Sequence, residues 1–137
     1  MRYIKMFETF NSEKYYREIT TYDESVPEPI DMSERTLGKI KKLFEGFSDE
    51  NGEPMTDPDV EIEYGKYPGP DETEVFAVEL NHFSDGEQIE TLLINELDDE
   101  WFTVEMFCYL PDKVGGFWIC DQFDGFVMLL KDKGILR

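Results

Sequence analysis

A run of strand-like segments in the second half of the chain limits the fold more than any other feature. Residues 59–64 alternate strictly, with Val60, Ile62 and Tyr64 on one side and acidic residues on the other. A period of two is typical of a half-buried β-strand. Four further segments rich in apolar and β-branched residues predict strands, and they cover residues 72–80, 88–97, 100–110 and 115–120. The first of these four is continuously apolar at its centre, which favours a central place in the sheet.

The two longest of these segments are predicted to form a hairpin. Asp98 and Asp99 separate them, and two polar residues between two strands favour a tight connection. In the second strand, alternate residues beginning with Phe102 share one apolar face. Glu105 and Phe107 then lie on the opposite face.

A helix is predicted over residues 32–46, before the run of strands. Its apolar residues recur at helical spacing, and they are Leu37, Ile40, Phe44 and Phe47. Asp31 followed by Glu34 resembles a capping box, in which two side chains satisfy the first free N–H groups of a helix.

A second helix is predicted over residues 122–133, after the run of strands. Asp121 is its expected N-cap, and Gly134 stands at the position where a helix commonly ends. Its apolar stripe is expected to pack against the apolar face of the strand over 100–110. The two sets are Phe123, Val127, Leu130 on the helix and Phe102, Val104, Met106 on the strand.

These segments predict one α+β domain over residues 1–137, with a largely antiparallel sheet of about five to seven strands and two helices. Runs of strands kept apart from helices are typical of this class, and the βαβ alternation of a doubly wound fold is missing. At the N-terminus, residues 1–10 and 14–22 are predicted to form a hairpin, with a helix over 11–20 as the alternative.

The two cysteines, Cys108 and Cys120, are predicted to be reduced residues of the core. If residues 100–110 and 115–120 pair about a turn at 111–114, Cys108 lies nearest Phe117 and Cys120 nearest Glu105, so the thiols are not partners. The first ten residues lack the apolar core of a signal peptide, and no segment approaches the roughly 18 apolar residues of a membrane span. A cytoplasmic protein is therefore expected, without a membrane partner.

The formal net charge is −19, and it is confined to the middle of the chain. Residues 43–112 hold 21 acidic residues and one base, Lys66, whereas residues 1–42 are neutral. A small domain needs a net charge of only roughly 2–8 for solubility, and further like charge destabilises it. An acidic face for a basic partner is therefore favoured over a merely solvated surface. Direct binding of nucleic acid is not expected, because a binder must neutralise phosphates.

The residues that catalysis or metal binding would need are not grouped in the sequence. His82 is the single histidine, in a predicted turn, and the cysteines form no metal-binding pattern. No phosphate-binding glycine motif and no nucleophile motif occurs. We therefore expect no catalytic residues, no metal and no cofactor, and a protein that is not an enzyme.

The predicted partner-binding residues are two acidic clusters, one on the alternating strand and one at the hairpin connection. They are Asp59, Glu61, Glu63, Glu96, Asp98, Asp99 and Glu100. Acidic residues of neighbouring strands are expected to extend this surface, among them Glu79, Glu87, Glu90, Glu96 and Glu105. If the acidic residues serve solvation only, the aromatic residues Trp101, Tyr109 and Trp118 become the better interface candidates.

The opening MRYIKMFETF resembles the start of many short proteins of large tailed phages, in which a lysine is usual where Arg2 stands here. The later stretches DDEWFTVEMF and CDQFDGFVMLLKD are similar to such proteins as well. The resemblance implies a role in host takeover or in countering host defence, for which acidic mimics of nucleic acid are a common device.

The sequence thus predicts a non-enzymatic acidic protein that blocks a basic, nucleic-acid-binding surface of a partner protein, such as a host defence nuclease. A phage inhibitor that acts in the host cytoplasm as a nucleic-acid mimic is the most concrete form. The alternatives are an immunity protein that neutralises a basic nuclease toxin, and a structural or assembly protein of a virion.

Overall fold

A computed structural model describes residues 15–19, 26–44, 47–48, 54–55, 60–68 and 74–136. The elements are β1 (Tyr16–Glu18), α1 (Glu34–Leu43), β2 (Phe47–Ser48), β3 (Pro54–Met55), β4 (Val60–Pro68), β5 (Glu74–Ser84), β6 (Glu87–Glu96), β7 (Phe102–Cys108), β8 (Gly116–Cys120) and α2 (Gln122–Asp132). A single 3-10 turn, Asp98–Glu100, connects β6 to β7.

Six of the strands form one antiparallel sheet in the order β1-β8-β7-β6-β5-β4, and β2 pairs with β3 separately. Strands β4 to β8 follow one another both in the chain and in the sheet, because short connections place successive antiparallel strands side by side. The predicted α+β class, with a largely antiparallel sheet and two helices, is confirmed. Neither α1 nor α2, the helices in the described part of the chain, has the length and apolar character needed to cross a membrane.

One face of the sheet packs against both helices, and we call it the helix face. The strand register aligns Tyr64, Val78, Ile94, Val104 and Trp118 in one row across it. These side chains join one core cluster with residues of α1 and α2. The alternation read in residues 59–64 is therefore correct for β4, whose apolar side chains face the helices while its glutamates are exposed.

Helix α2 covers the part of the helix face that contains β7. Phe102 lies between two helix rings, with centroids 5.6 Å from Phe126 and 6.1 Å from Phe123. The predicted packing of this helix on β7 is confirmed. The centre of the buried stripe is Phe126 and Leu129, which are fully buried, whereas Phe123 is only partly buried.

The predicted start of the first helix is wrong. Ser33 is the N-cap, and its hydroxyl accepts a hydrogen bond of 3.1 Å from the Thr36 N–H. Asp31 instead accepts a hydrogen bond of 2.8 Å from the backbone N–H of Phe76, so a contact with β5 takes the side chain that the capping box required. The helix also ends earlier than predicted, because Phe47 belongs to β2.

One prediction about strand pairing needs correction, and the predicted N-terminal hairpin is tested only in its second strand. Residues 16–18 form a strand that pairs with β8, which excludes a helix through these positions, and the first strand of the predicted N-terminal hairpin lies outside the described residues. Cys120 pairs with Phe102 rather than with Glu105, a register shifted by three residues. Both cysteines are free thiols, as predicted.

Candidate partner-binding surface

The face of the sheet opposite the helices carries a groove, and we call it the groove face. The groove has a volume of about 380 Å³ and extends over β4, β5, β6 and β7. Its lining is Tyr67, Pro68, Glu79, Asn81, Gln88, Thr91, Leu93, Glu105, Phe107 and Tyr109. Apolar rings, amides and carboxylates thus meet in one concave surface, which is the composition of a binding site rather than of a core.

A row of carboxylates runs across this face. The register places Glu63 opposite Glu79, Glu79 opposite Leu93, and Leu93 opposite Glu105. Because neighbouring strands lie about 4.8 Å apart, the row spans roughly 14 Å between the α-carbons of its two ends. Glu61 lies two residues from Glu63 on β4 and is exposed on the same face. The acidic surface is therefore two-dimensional, built from three strands.

A hydrogen-bond network fixes the floor of the groove. The amide nitrogen of Gln88 donates to Asn81 Oδ1 and to Thr91 Oγ1, both at 2.7 Å, and the Thr91 hydroxyl donates to Asn81 Oδ1 at 2.8 Å. The Tyr109 hydroxyl donates to Thr91 at 3.0 Å, and Asn81 Nδ2 donates to Glu79 Oε1 at 3.3 Å. These contacts orient the amides and hold the Glu79 carboxylate in place.

Aromatic rings form the walls at both ends of the groove. The Tyr67 ring lies over Gly65, where a β-carbon would stand 3.8 Å from the ring. Burial raises the pKa of the Tyr67 hydroxyl, and the carboxylates of Glu79 and Glu63 raise it further, so the hydroxyl is close to both. At the other end Phe107 and Tyr109 are 46% and 56% exposed. Exposed aromatic residues at this density are typical of protein interfaces.

Glu105 is the carboxylate most affected by its surroundings in the groove. Burial raises the pKa of this side chain above its ordinary value. The cause is the loss of water around the charged form. A cation beside this carboxylate would stabilise its charged form.

Among the described residues, positive charge on the groove face lies away from the groove, since Arg17 is on β1, two strands beyond β7. On the groove face of β4 to β7, no Lys or Arg is found among the residues that the structure describes. Lys66 of β4 points to the helix face, where its Nζ lies 5.5 Å from the centre of the Phe76 ring. No described Lys or Arg side chain of these four strands therefore faces the carboxylate row.

The two predicted acidic clusters are placed far apart. Glu61 and Glu63 are exposed on the groove face, and Asp59 lies outside the described residues. The second cluster lies where β6 turns into β7, with Asp98, Asp99 and Glu100 exposed in the 3-10 turn. This turn is at the opposite end of the sheet from Glu61, about 16 Å further along β6.

Glu96 differs from the other predicted partner-binding residues because it is buried. It is 8% exposed and belongs to the helix face, where Oε1 accepts a hydrogen bond of 3.4 Å from the Ser33 N–H. Its backbone oxygen also accepts a hydrogen bond of 2.8 Å from the Ile30 N–H. Its contacts hold the segment before α1 against the sheet.

Among the acidic residues expected to extend the surface, Glu79 and Glu105 lie in the groove, and Glu90 is buried on the helix face. Glu87 is exposed where β6 begins.

Of the three aromatic candidates, Tyr109 lines the groove, whereas Trp118 is buried in the main core and Trp101 packs against a small cluster formed by Ile19, Leu97 and Ile119. Sequence reasoning missed Tyr67, Asn81, Gln88, Thr91 and Phe107 as site residues, because a groove across four strands appears only once the register is known.

His82 was predicted to lie in a turn, and this prediction is wrong: His82 belongs to β5. Its Nδ1 is 2.9 Å from Glu90 Oε2, and the Cys108 thiol donates to Glu90 Oε1 at 3.9 Å. Burial raises the pKa of Cys108, and the Glu90 carboxylate raises it further, which opposes formation of a thiolate. No group of three or more His, Cys, Asp or Glu side chains that could hold a metal ion occurs in the described ranges.

Comparison of the chain with protein-family models, with curated proteins and with solved structures finds no match.

Proposed function

We propose that this protein is a non-enzymatic acidic binding protein that blocks a basic, nucleic-acid-binding surface of a partner protein. The observation that carries the proposal is the carboxylate row of Glu63, Glu79 and Glu105, which crosses a groove with no Lys or Arg among its described lining residues. A surface of this kind attracts a basic partner over a distance and repels nucleic acid itself.

The spacing of the acidic residues supports mimicry of a nucleic-acid backbone. Alternate side chains on a strand are roughly 6.6–6.8 Å apart, so Glu61 and Glu63 repeat at a distance comparable to that of successive phosphates. Glu79 adds a second negative charge beside Glu63 on the next strand. A basic groove that accepts phosphates would find a matching pattern of charge on this face.

The resemblance of the N-terminal residues to phage proteins supports one setting for this activity. In that setting the partner is a host defence nuclease or another nucleic-acid enzyme, met in the host cytoplasm. An immunity protein for a basic nuclease toxin would use the same acidic surface, and a virion protein would be recovered with particles. The identity of the captured partner therefore separates the three.

The environment of Cys108 supports the non-enzymatic part of the proposal. The thiol faces the Glu90 carboxylate, and His82 contacts the other oxygen of that carboxylate rather than the sulfur. A raised thiol pKa together with this order of contacts works against nucleophilic catalysis at the one site where a cysteine and a histidine approach each other.

The test is capture of the partner followed by competition. The tagged protein is used to isolate partners from host extract, and the isolated partner is then offered DNA or RNA in the presence of increasing amounts of the protein. We expect the protein to displace nucleic acid, to bind none itself in a gel shift at low salt, and to bind more weakly as salt shortens the Debye length from about 10 Å at 0.1 M to about 3 Å at 1 M.

Charge reversal on the groove face is the matched variant test. The double change Glu61→Lys and Glu63→Lys should weaken partner binding strongly, because exposed charges steer association and set its salt dependence. The same reversal of Asp98 and Asp99 tests the second predicted cluster, at the other end of the sheet, separately from the groove face. Unchanged partner binding by both variants would mean that the acidic residues serve solvation only.

A further inference from the structure

We infer that the groove binds an arginine side chain of the basic partner protein. The inference rests on the proposed function and specifies which surface makes the contact and which residue type it recognises. It is carried by three features of the groove: paired carboxylates, aromatic walls that no described cation covers, and a floor whose amides and hydroxyls form a hydrogen-bond network.

The two carboxylates of the groove flank Leu93. The register places Glu79 on one side of Leu93 and Glu105 on the other, so their α-carbons are two strand spacings, or roughly 9.6 Å, apart. A guanidinium between them can donate to both, since its N–H groups form a planar fork. Burial of Glu105 favours a cation that is itself weakly hydrated, and guanidinium is more weakly hydrated than ammonium.

The aromatic walls favour the same ligand. On the helix face this chain places ammonium groups over rings, with Lys39 Nζ 4.4 Å from the Phe123 centroid and Lys133 Nζ 4.5 Å from that of Trp118. In the described structure no cation lies over the exposed rings of Phe107 and Tyr109. A guanidinium stacks flat on such rings and gains more from them than a compact ammonium does.

The floor of the groove explains why a charged group is preferred over a neutral polar one. Asn81 and Thr91 already use their polar atoms in the network with Gln88 and Tyr109. The carboxylates offer the largest remaining acceptor capacity, since a carboxylate has about four lone-pair sites and Glu79 uses one for Asn81. A ligand that only donates hydrogen bonds, as arginine does, fits this arrangement.

The experiment uses the full chain and two short capped peptides, one with a single arginine between glycines and one with lysine in its place. Binding is followed by backbone amide chemical shifts during titration. We expect the arginine peptide to bind more tightly and to shift the amides of Thr91, Leu93 and Phe107, with no comparable shift in the 98–100 turn. Equal binding of the two peptides, or shifts spread over all acidic segments, would overturn the inference.

The variants test the two groups that would hold the guanidinium. Glu79→Gln and Glu105→Gln should each weaken binding of the arginine peptide about tenfold or more, because hydrogen bonds to charged groups are the strong ones. Phe107→Leu keeps an apolar side chain but removes the ring, and it should reduce the preference for arginine over lysine. Glu61→Gln removes the same charge from the same face outside the groove lining and should change binding by about twofold or less.

The outcomes for the groove and for the proposed function can be told apart. If reversal of Glu61 and Glu63 abolishes partner binding while the arginine peptide does not bind the groove, the inference fails and the proposed function stands. If the arginine peptide binds as expected but the protein does not displace nucleic acid from the captured partner, the proposed function fails. Equal weakening by Glu61→Gln and Glu105→Gln would also overturn the inference, since it would show a general effect of charge.

Discussion

The two faces of the sheet differ in whether their carboxylates have partners within the chain. On the helix face each buried carboxylate has a partner within the chain: Glu90 contacts His82, and Glu96 accepts from the Ser33 N–H. On the groove face Glu63 and Glu105 have no cationic partner among the described side chains. A face that compensates its charges internally stabilises the fold, whereas a face that leaves them uncompensated is available to a partner of opposite charge.

The largest expected difference between the faces is in the cost of removing a ring. Phe126 is fully buried against Phe102 on the helix face, so Phe126→Ala should lower the free energy of unfolding by about 3–5 kcal/mol. Phe107 is 46% exposed on the groove face, and Phe107→Ala should cost no more than about 1 kcal/mol. Urea denaturation of both variants checks this, and similar costs would mean that the groove face is as much a core as the helix face.

The two helices on the helix face differ in how closely other atoms approach their glycine residues. A β-carbon on Gly125 of α2 would lie against the carbonyl oxygen of Tyr15, whereas Gly38 of α1 has no atom within 4 Å. Gly125→Ala should therefore destabilise the protein by about 1–3 kcal/mol, because the segment leading into β1 must move.

Gly38→Ala is the matched control, and it should stabilise the protein by about 0.5–1 kcal/mol through the helix propensity of alanine. Thermal unfolding should show a lower Tm for Gly125→Ala and a higher Tm for Gly38→Ala than for the natural chain. A stabilising Gly125→Ala would show that α2 is not packed against the segment that enters β1.

The features that could be predicted from the sequence are those fixed by local pattern. The alternation in β4 correctly placed Ile62 inside and Glu61 and Glu63 outside, because side-chain direction in a strand follows from position alone. The helix cap could not be predicted in the same way. Asp31 and Ser33 are both good N-cap residues, and the contact of Asp31 with the N–H of Phe76, distant in sequence, decides between them.

The candidate site depends on register, which the sequence leaves open. The connection between β7 and β8 allows several turns, and the predicted pairing differed by three residues from the observed one. Part of the groove was nevertheless visible in the sequence, since Glu105 and Phe107 alternate with the apolar face of β7. Which residues of β4, β5 and β6 lie beside them follows only from the pairing of strands.

The smallest expected effect is a change with pH in the free energy of unfolding, caused by Glu105 on the groove face. Burial raises the pKa of Glu105 above its ordinary value of 4.5, so the folded protein holds this proton more tightly than the unfolded chain does. Stability contributed by protonated Glu105 is therefore present below the ordinary pKa and is lost as the pH rises through the raised one. Glu105→Gln removes this loss, so the variant should gain stability relative to the natural chain as the pH rises above the ordinary pKa of 4.5.

The salt dependence of this stability gain separates its two possible causes, desolvation of Glu105 and repulsion from neighbouring carboxylates. Desolvation is a property of burial and should persist at 1 M salt, whereas repulsion from the neighbouring carboxylates would be screened, since the Debye length there is about 3 Å. We expect the pH-dependent gain of Glu105→Gln, measured by urea denaturation, to be similar at 0.1 M and 1 M salt. A gain in stability that disappears at high salt would show that repulsion between the carboxylates causes the loss of stability. Any cation near this face could then reduce that repulsion, whether or not it enters the groove.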